Sequence, residues 1–541
     1  MRKTLYALFA FLIASIMRLY PTLITGVPFS TDSWPPIRNT ELLIERTPVD
    51  LGDGIFDGYN NYWPANSLFG AVFSQVIGLE PRVAMATIFP VIGASAILIF
   101  YAVVEGFFKA ETALMASLIF ATCFSHAIFT AGVTKETYGN PLYLLLMLVF
   151  LRLKGGVGQT LLFTLASVAL ALTHHLTPLV AVAILSCTAL ASSLSDLKNG
   201  TPPNKLSPIL VGILASITLA YYLLYAKEGF KVQLAPSDWL SAVSYQLVAF
   251  ALATYFAFKK PDPSTTRSLF MCSAAVVIPI LFAGVAVRTP IIPGAPVLPS
   301  RYLLYTVPFF LASPLIYLGY REVKSGQSGR NIEAIFWFAS ILGLEGYAVF
   351  GNSPLGFGLA YRLLNFLWPP LALLCAVGLH RLYLVAGRLR SRRVARSALA
   401  SVLLTFVAIA SFNSYNVYAA VSRGERYMGY FWLYTYPEYR AGLWIANVSK
   451  NQTVAGDVKA SYLLKGYFNV EVNVLQGLKY LTGKDRQRPL LIYMYWQMPE
   501  NGYVLYGGYS VNLPENWTEK LYDLNIAYSN GLVKLYAGGD R

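Results

Sequence analysis

Charge is scarce in this chain. Asp, Glu, Lys and Arg make up 13% of its 541 residues, 56% are hydrophobic, and the mean hydropathy is +0.51. A soluble domain is closer to a quarter charged, so ordinary soluble folds, disorder and coiled coils are excluded. Such a chain reads as a polytopic α-helical membrane protein. Cysteine is scarce too. Cys123, Cys187, Cys272 and Cys375 each fall in an apolar run, where a thiol behaves as a small hydrophobe. No disulfide framework or CxxC metal pair is available. Also missing are a Walker loop, a dinucleotide GxGxxG, an HExxH, a GxSxG elbow and a haem CxxCH. ATP-driven transport and serine-hydrolase chemistry lose their support with them.

What is present is a long series of apolar runs. About thirteen can form spanning helices, near 4–25, 83–105, 111–131, 138–151, 158–173, 176–194, 207–226, 238–258, 268–287, 302–320, 332–350, 363–385 and 397–418. The first follows Arg2 and Lys3 and continues to about Gly26 without a small-residue cleavage site, so it reads as a retained signal anchor. Pro64–Leu79 is apolar but too short to cross comfortably.

The net charge of +15 is explained by where the basic residues fall. If 64–79 stays on the outer side, the inner loops hold Lys259, Lys260 and Arg267, then Arg321, Lys324 and Arg330, then five arginines between 388 and 396. Inner loops are then roughly fourfold denser in Lys and Arg than outer ones, as the positive-inside tendency requires. The basic excess is therefore topological, and no nucleic-acid partner is needed. The N-terminus is expected in the cytoplasm and residues 419–541 outside.

That tail is polar and rich in tyrosine. Stretches such as Pro489–Trp496 and Tyr503–Tyr509, with turn signals Asn501-Gly502 and Gly507-Gly508, suggest a small α/β domain. Its sequons at Asn447, Asn451 and Asn516 suit an exported surface.

Several polar residues exceed what a plain helical bundle needs. The first outer loop, 26–81, carries Ser30-Thr31-Asp32-Ser33-Trp34-Pro35-Pro36 just beyond the first span, followed by Asp50, Asp53 and Asp57. Asp32 at a helix exit is well placed for chemistry at the membrane surface, whereas the later three sit among glycines, where aspartate commonly makes turns. The second outer loop, Gly132–Tyr138, places Lys135 and Glu136 between two apolar helices. His174 and His175 form the third outer turn and can donate to phosphate or sugar oxygens. Arg301 and Arg362 stand at outer ends of spans, against the usual bias. Anion binding accounts for them, since a guanidinium offers paired donors to phosphate oxygens. Interfacial anchoring is the alternative. Arg18 and Glu345 lie within spans and should face protein or water.

An acidic first outer loop, an acid in the second and arginines at later outer helix starts resemble the GT-C superfamily of membrane glycosyltransferases. Within it the pattern is similar to the protein O-mannosyltransferase and aminoarabinose-transferase branch, which implies thirteen spans with interfacial helices in the first outer loop. Asp32 matches that family's first-loop carboxylate by position. Tyr62–Gly78 resembles its proline-led interfacial helix, Ser125–Arg152 the stretch with the second acid, and Tyr361–Leu382 the late span with its leading arginine. Two departures stand out. The second acid lies in Lys-Glu-Thr, not Pro-Asp or Asp-x-Glu, and the tail has no WWDxG motif, which argues against an oligosaccharyltransferase.

The resemblance implies transfer of a sugar from a polyprenyl-phosphate donor to an acceptor hydroxyl at the outer face. Asp32 would be the base, Glu136 the second acid, and Arg301, Arg362, Lys135, His174 and His175 the donor-phosphate ligands. No cofactor is certain, and a divalent metal is possible. The first-loop acids are compatible with a divalent metal, whose charge Lys135 could replace. Neither the sugar nor the acceptor is legible. The rival readings are a transporter or lipid flippase, and a non-catalytic envelope component displaying the tail. A transporter or flippase does not account for a long acidic outer loop with a folded external tail, and no inverted repeat is visible. The topology is directly checkable. A reporter fused after residue 418 should be active only outside the membrane, and cytoplasmic activity would invert the scheme.

Overall fold

The computed structural model describes residues 2–46, 48, 58–152, 155–229, 235–259, 265–290, 297, 299–300, 303, 306–325, 330–388, 391–422, 432–449, 452–506 and 509–538. Arg301, Asp50, Asp53, Asp57 and Asn451 lie outside them.

The helices of the apolar part are α1 (Arg2–Thr25), α2 (Trp34–Glu45), α3 (Ala65–Ile77), α4 (Pro81–Glu105), α5 (Ala110–Ala121), α6 (Phe124–Phe129), α7 (Lys135–Leu151), α8 (Val157–Thr173), α9 (Thr177–Lys198), α10 (Leu206–Leu224), α11 (Pro236–Phe258), α12 (Thr265–Ala286), α13 (Val307–Ser325), α14 (Arg330–Phe350), α15 (Pro354–Ala386) and α16 (Arg392–Ser422). A helix stands at each expected apolar run. Among the described residues eight are long and apolar enough to cross a membrane: α1, α4, α9, α10, α11, α14, α15 and α16. This is a multi-pass membrane protein.

Two expectations change. The run 111–131 is not one helix. It breaks at Thr122 and Cys123, where the Thr122 hydroxyl donates back to the Leu118 carbonyl at 2.9 Å and α6 restarts. A uniformly apolar run cannot reveal such a break. The Gly-rich segment before Tyr361 is helical, not a loop. Ser353 caps it by accepting from the Gly356 N–H at 3.4 Å, and Pro354 supplies a helical φ at the first position. Arg362 therefore sits two turns inside α15.

By compactness the chain forms two units, one of residues 1–17, 92–129 and 139–414, the other of 18–91, 130–138 and 415–541. In the first, α13 meets α15 through Gly319 and Gly378. A Cβ on either would strike backbone of the opposite helix, so only glycine permits this approach. Trp337 donates its indole N–H to the Tyr143 hydroxyl at 2.6 Å, settling two polar atoms inside that core.

The second unit joins residues 18–91 and 130–138 to the tail. Helix α3, at 13 residues, is too short to cross the bilayer. It packs on α2 where the Thr40 hydroxyl reaches the Ser67 carbonyl at 3.2 Å and the Ser67 hydroxyl reaches the Pro36 carbonyl at 3.0 Å. Leu68, Val72 and Val76, spaced by four, remain exposed in one stripe, the pattern of a helix lying in the membrane interface.

The tail folds as α17 (Tyr436–Val448), β1 (Val454–Ala455), α18 (Val458–Leu464), β2 (Val472–Asn473), α19 (Val474–Leu481), β3 (Leu491–Tyr495), α20 (Gln497–Asn501), β4 (Tyr503–Tyr506), β5 (Tyr509–Asn512), α21 (Glu519–Tyr522), β6 (Asn525–Ser529) and β7 (Val533–Ala537). Its five-stranded sheet runs β2-β1-β3-β7-β6, parallel across β2-β1-β3 and antiparallel across β3-β7-β6; β4 and β5 pair separately. All five residues of β3 are buried, because it is the middle strand.

A charged pair lies under this sheet. Glu438 and Lys459, each 1% exposed, meet at 2.7 Å. Glu438 also caps α17 by accepting from the Thr435 N–H at 2.8 Å, and Lys459 donates to Gln497 Oε1 at 2.8 Å with its ammonium 4.3 Å from the Tyr495 ring. Removing one partner strands a buried charge. Lys459→Met should destabilise the tail by about 3–5 kcal/mol. The double variant Glu438→Leu/Lys459→Met should cost less than the single one, as measured by urea unfolding followed through tryptophan fluorescence.

Candidate active site

The first outer loop is held in place by one tryptophan. Trp34, fully buried, has its ring centroid 5.3 Å from Tyr434, 5.4 Å from Tyr467 and 6.2 Å from Tyr439. Tyr467 in turn donates to Glu41 at 2.6 Å. Burial pushes the Glu41 carboxyl up, while the hydrogen bonds from Tyr467 and Arg38 pull it back.

Asp32 stands on the short 3₁₀ turn Thr31–Ser33 immediately before α2. Ser30 enters that turn at φ 81°, a conformation costly for any residue but glycine. It is secured by its N–H donating to the Trp432 carbonyl at 2.7 Å, while its hydroxyl accepts from the Asp32 N–H at 3.3 Å. Thr31 and Ser33 are buried, and Asp32 between them is exposed.

Ser33 brings the second outer loop to the first. Its hydroxyl donates to the Phe29 carbonyl and accepts from the Val133 N–H at 2.8 Å. Gly132 sits against the same segment. A Cβ there would overlap the Phe29 carbonyl oxygen and lie 3.0 Å from Ser33 Oγ, so any side chain at 132 wedges the loops apart. Asn66 of α3 adds a third hold, donating to the Thr134 carbonyl at 2.9 Å. Thr137 closes the loop by donating to the Gly132 carbonyl at 2.8 Å.

This brings three of the expected residues together. Lys135 is buried, its ammonium 5.5 Å from the Trp63 ring centroid. Burial lowers its pKa from 10.5 to about 7, against the opposing pull of the Glu136 and Asp32 charges. Glu136 is half-buried. The arrangement is two carboxylates, one exposed, acting on one enclosed amine.

His174, His175 and Arg362 belong to the other unit. His174 is buried at the end of α8, with Nδ1 and the Thr177 hydroxyl 2.6 Å apart, so this ring closes the α8–α9 turn. His175 is half-buried, its ring 4.8 Å from that of His174, and its carbonyl accepts from the Tyr222 hydroxyl. Arg362 donates through Nε to the Tyr361 hydroxyl at 3.0 Å, and Tyr361 stacks on Phe129 at 5.6 Å. Arg18, fully buried, donates to Thr130 at 2.7 Å.

No family model matches the chain, and no curated protein matches it. Solved structures do. The oligosaccharyltransferase of Archaeoglobus fulgidus, tethered to an acceptor peptide containing an NVT sequon, superposes with a TM-score of 0.56 at 14% identity, covering 99% of this chain and 74% of that one. The same organism's oligosaccharyltransferase AglB, in complex with an inhibitory peptide and a dolichol-phosphate, gives 0.57 at 13% identity over 92% and 70%. The chain shares its fold with these oligosaccharyltransferase structures.

The described acids do not compose a divalent-metal set. Asp32 and Glu136 share their surroundings with an amine, and among the described residues no three His, Cys, Asp or Glu side chains gather to hold an ion. The residues that position the site but carry no signature in the sequence are Ser30, Ser33, Asn66 and Gly132. Only the hydroxyls flanking Asp32 hinted at them.

The displaced Lys135 has a measurable consequence. Between about pH 7 and 10.5 the unfolded chain holds a proton on Lys135 that the folded chain has released. Its contribution to stability therefore rises with pH across that window, and below about pH 7 the full cost of burying a charge applies. The thermal midpoint of wild type minus that of Lys135→Met should increase from pH 6.5 to 9. A constant difference would mean an ordinary lysine.

Proposed function

We propose that this protein is a membrane glycosyltransferase that moves a sugar from a polyprenyl-phosphate donor to an acceptor hydroxyl at the outer face of the membrane. The observation that carries the reading is the meeting of exposed Asp32 and half-buried Glu136 around the enclosed Lys135, on a GT-C fold. The neighbour AglB was solved in complex with a dolichol-phosphate, which favours a lipid-linked donor.

The chemistry is displacement at the anomeric carbon. The acceptor oxygen forms the new bond, the bond to the phosphate oxygen breaks, and the acceptor proton passes to the Asp32 carboxylate. Asp32 suits this because its neighbours are turned inward and it is not. Glu136 orients the acceptor hydroxyl. When protonated, Lys135 offsets the repulsion between the two carboxylates that share its surroundings. Arg362, with Arg301 and His175, is assigned to the leaving phosphate, whose negative charge grows as the bond breaks, while buried His174 keeps its place in the α8–α9 turn. Residues 1–418 carry this chemistry, with the N-terminus in the cytoplasm, and 419–541 form an external domain clamped on the first outer loop.

Asparagine at 32 keeps the shape and one acceptor oxygen but cannot take a proton. Asp32→Asn should bind donor normally while turnover, read as release of polyprenyl phosphate from a polyprenyl-phosphate sugar, falls about 10²–10⁴-fold. Wild-type turnover would remove Asp32 as the base and make Glu136 the next residue to replace.

A further inference from the structure

The unit of residues 139–414 contains a groove that the proposed transfer does not use. It lies among α11, α12, α13 and α14 and has a volume of about 670 Å³. Val248, Leu252, Phe256, Met271, Leu342 and Phe350 line it and remain exposed. In a bilayer such a surface is covered by acyl chains.

One end differs in chemistry. Lys259, Arg321 and Lys324 also line the groove. Lys259 follows α11, while Arg321 and Lys324 are three apart on α13 and so share a face. The Tyr320 hydroxyl donates to the Phe256 carbonyl at 2.8 Å, tying α13 to the end of α11. Lys259 is close enough to Lys324 for their charges to act on each other. Lys259 donates to the Tyr255 hydroxyl at 2.7 Å, and Lys324 to that of Tyr320 at 3.4 Å. Among the described residues neither lysine has a carboxylate partner, and Glu322, two residues before Lys324, is engaged by Arg381 at 3.4 Å.

Two like charges held together at the mouth of an apolar groove call for an anion that carries its own hydrocarbon. We propose that this groove binds an anionic phospholipid, its phosphate at Lys259, Arg321 and Lys324 and its acyl chains along α11 and α14. The distribution of basic residues puts these three on the inner side, where anionic headgroups recruit basic pockets between helices. The donor phosphate is assigned to the outer side, so this lipid is not the donor. The inference does not depend on the proposed transfer.

The test is native mass spectrometry of the full-length protein from micelles containing phosphatidylglycerol and phosphatidylcholine with identical acyl chains. Wild type should retain phosphatidylglycerol preferentially. Lys259→Gln/Lys324→Gln should weaken that retention about thirtyfold, the loss expected for two basic contacts to an anionic headgroup. Arg321→Gln should weaken it less, and Lys205→Gln, outside the groove, should not change it. Equal retention of the two lipids by wild type, or undiminished phosphatidylglycerol on the double variant, would overturn the proposal. So would loss of the preference in Lys205→Gln, which would indicate bulk attraction to the surface. A third arm adds polyprenyl monophosphate. If it displaces phosphatidylglycerol from wild type but not from the double variant, the groove takes a donor-type lipid and the proposal fails.

Discussion

Trp34 enters a cage made by Tyr434, Tyr439 and Tyr467, and the candidate site hangs from that burial. Burying an indole supplies free energy that a short polar loop cannot find by itself, since aromatic side chains bring the largest apolar areas of any residue. That gain holds the strained Ser30 and fixes the turn in which Thr31 and Ser33 face inward. Asp32 is left facing out. Its exposure follows from the commitments of its neighbours, and the same turn gives Ser33 the geometry to capture the backbone of the second outer loop.

The protein uses its few charges sparingly and encloses several of them. Arg18 is buried on α1 with Thr130 as a partner, and Lys459 is buried in the tail against Glu438. Lys135 is buried under Trp63 within reach of two carboxylate charges. These burials differ in consequence. The Glu438–Lys459 pair is closed by further hydrogen bonds on both members and reads as structural. Lys135 faces one exposed and one half-exposed acid, and its proton affinity has moved close to neutrality. A perturbed amine beside accessible carboxylates is what a reactive site is expected to contain.

Fold class was legible from hydropathy and charge because both are local. A helix must hide about twenty consecutive residues in lipid, and basic loops mark one side, so the apolar runs and the short Pro64–Leu79 piece could be read directly. Errors arose where a single contact decides the outcome. One apolar run is divided at Thr122 and Cys123, and the Ser353 cap with Pro354 starts a helix in a glycine-rich stretch. Neither shows in a window average.

The sequence by itself determined a multi-pass membrane chain with an acidic loop after its first apolar run, a Lys-Glu pair between two later ones and a separate polar tail. It named Asp32, Glu136 and Lys135 individually, from their positions at helix exits. Only the tertiary structure decided that these three meet. The contact that joins them, Val133 to Ser33, crosses 100 residues of sequence, and it closes only because Gly132 has no side chain and Trp34 is held by tyrosines some 400 positions away. Periodicity and charge placement report on neighbours along the chain. Convergence of two loops depends on contacts between residues that no local pattern connects.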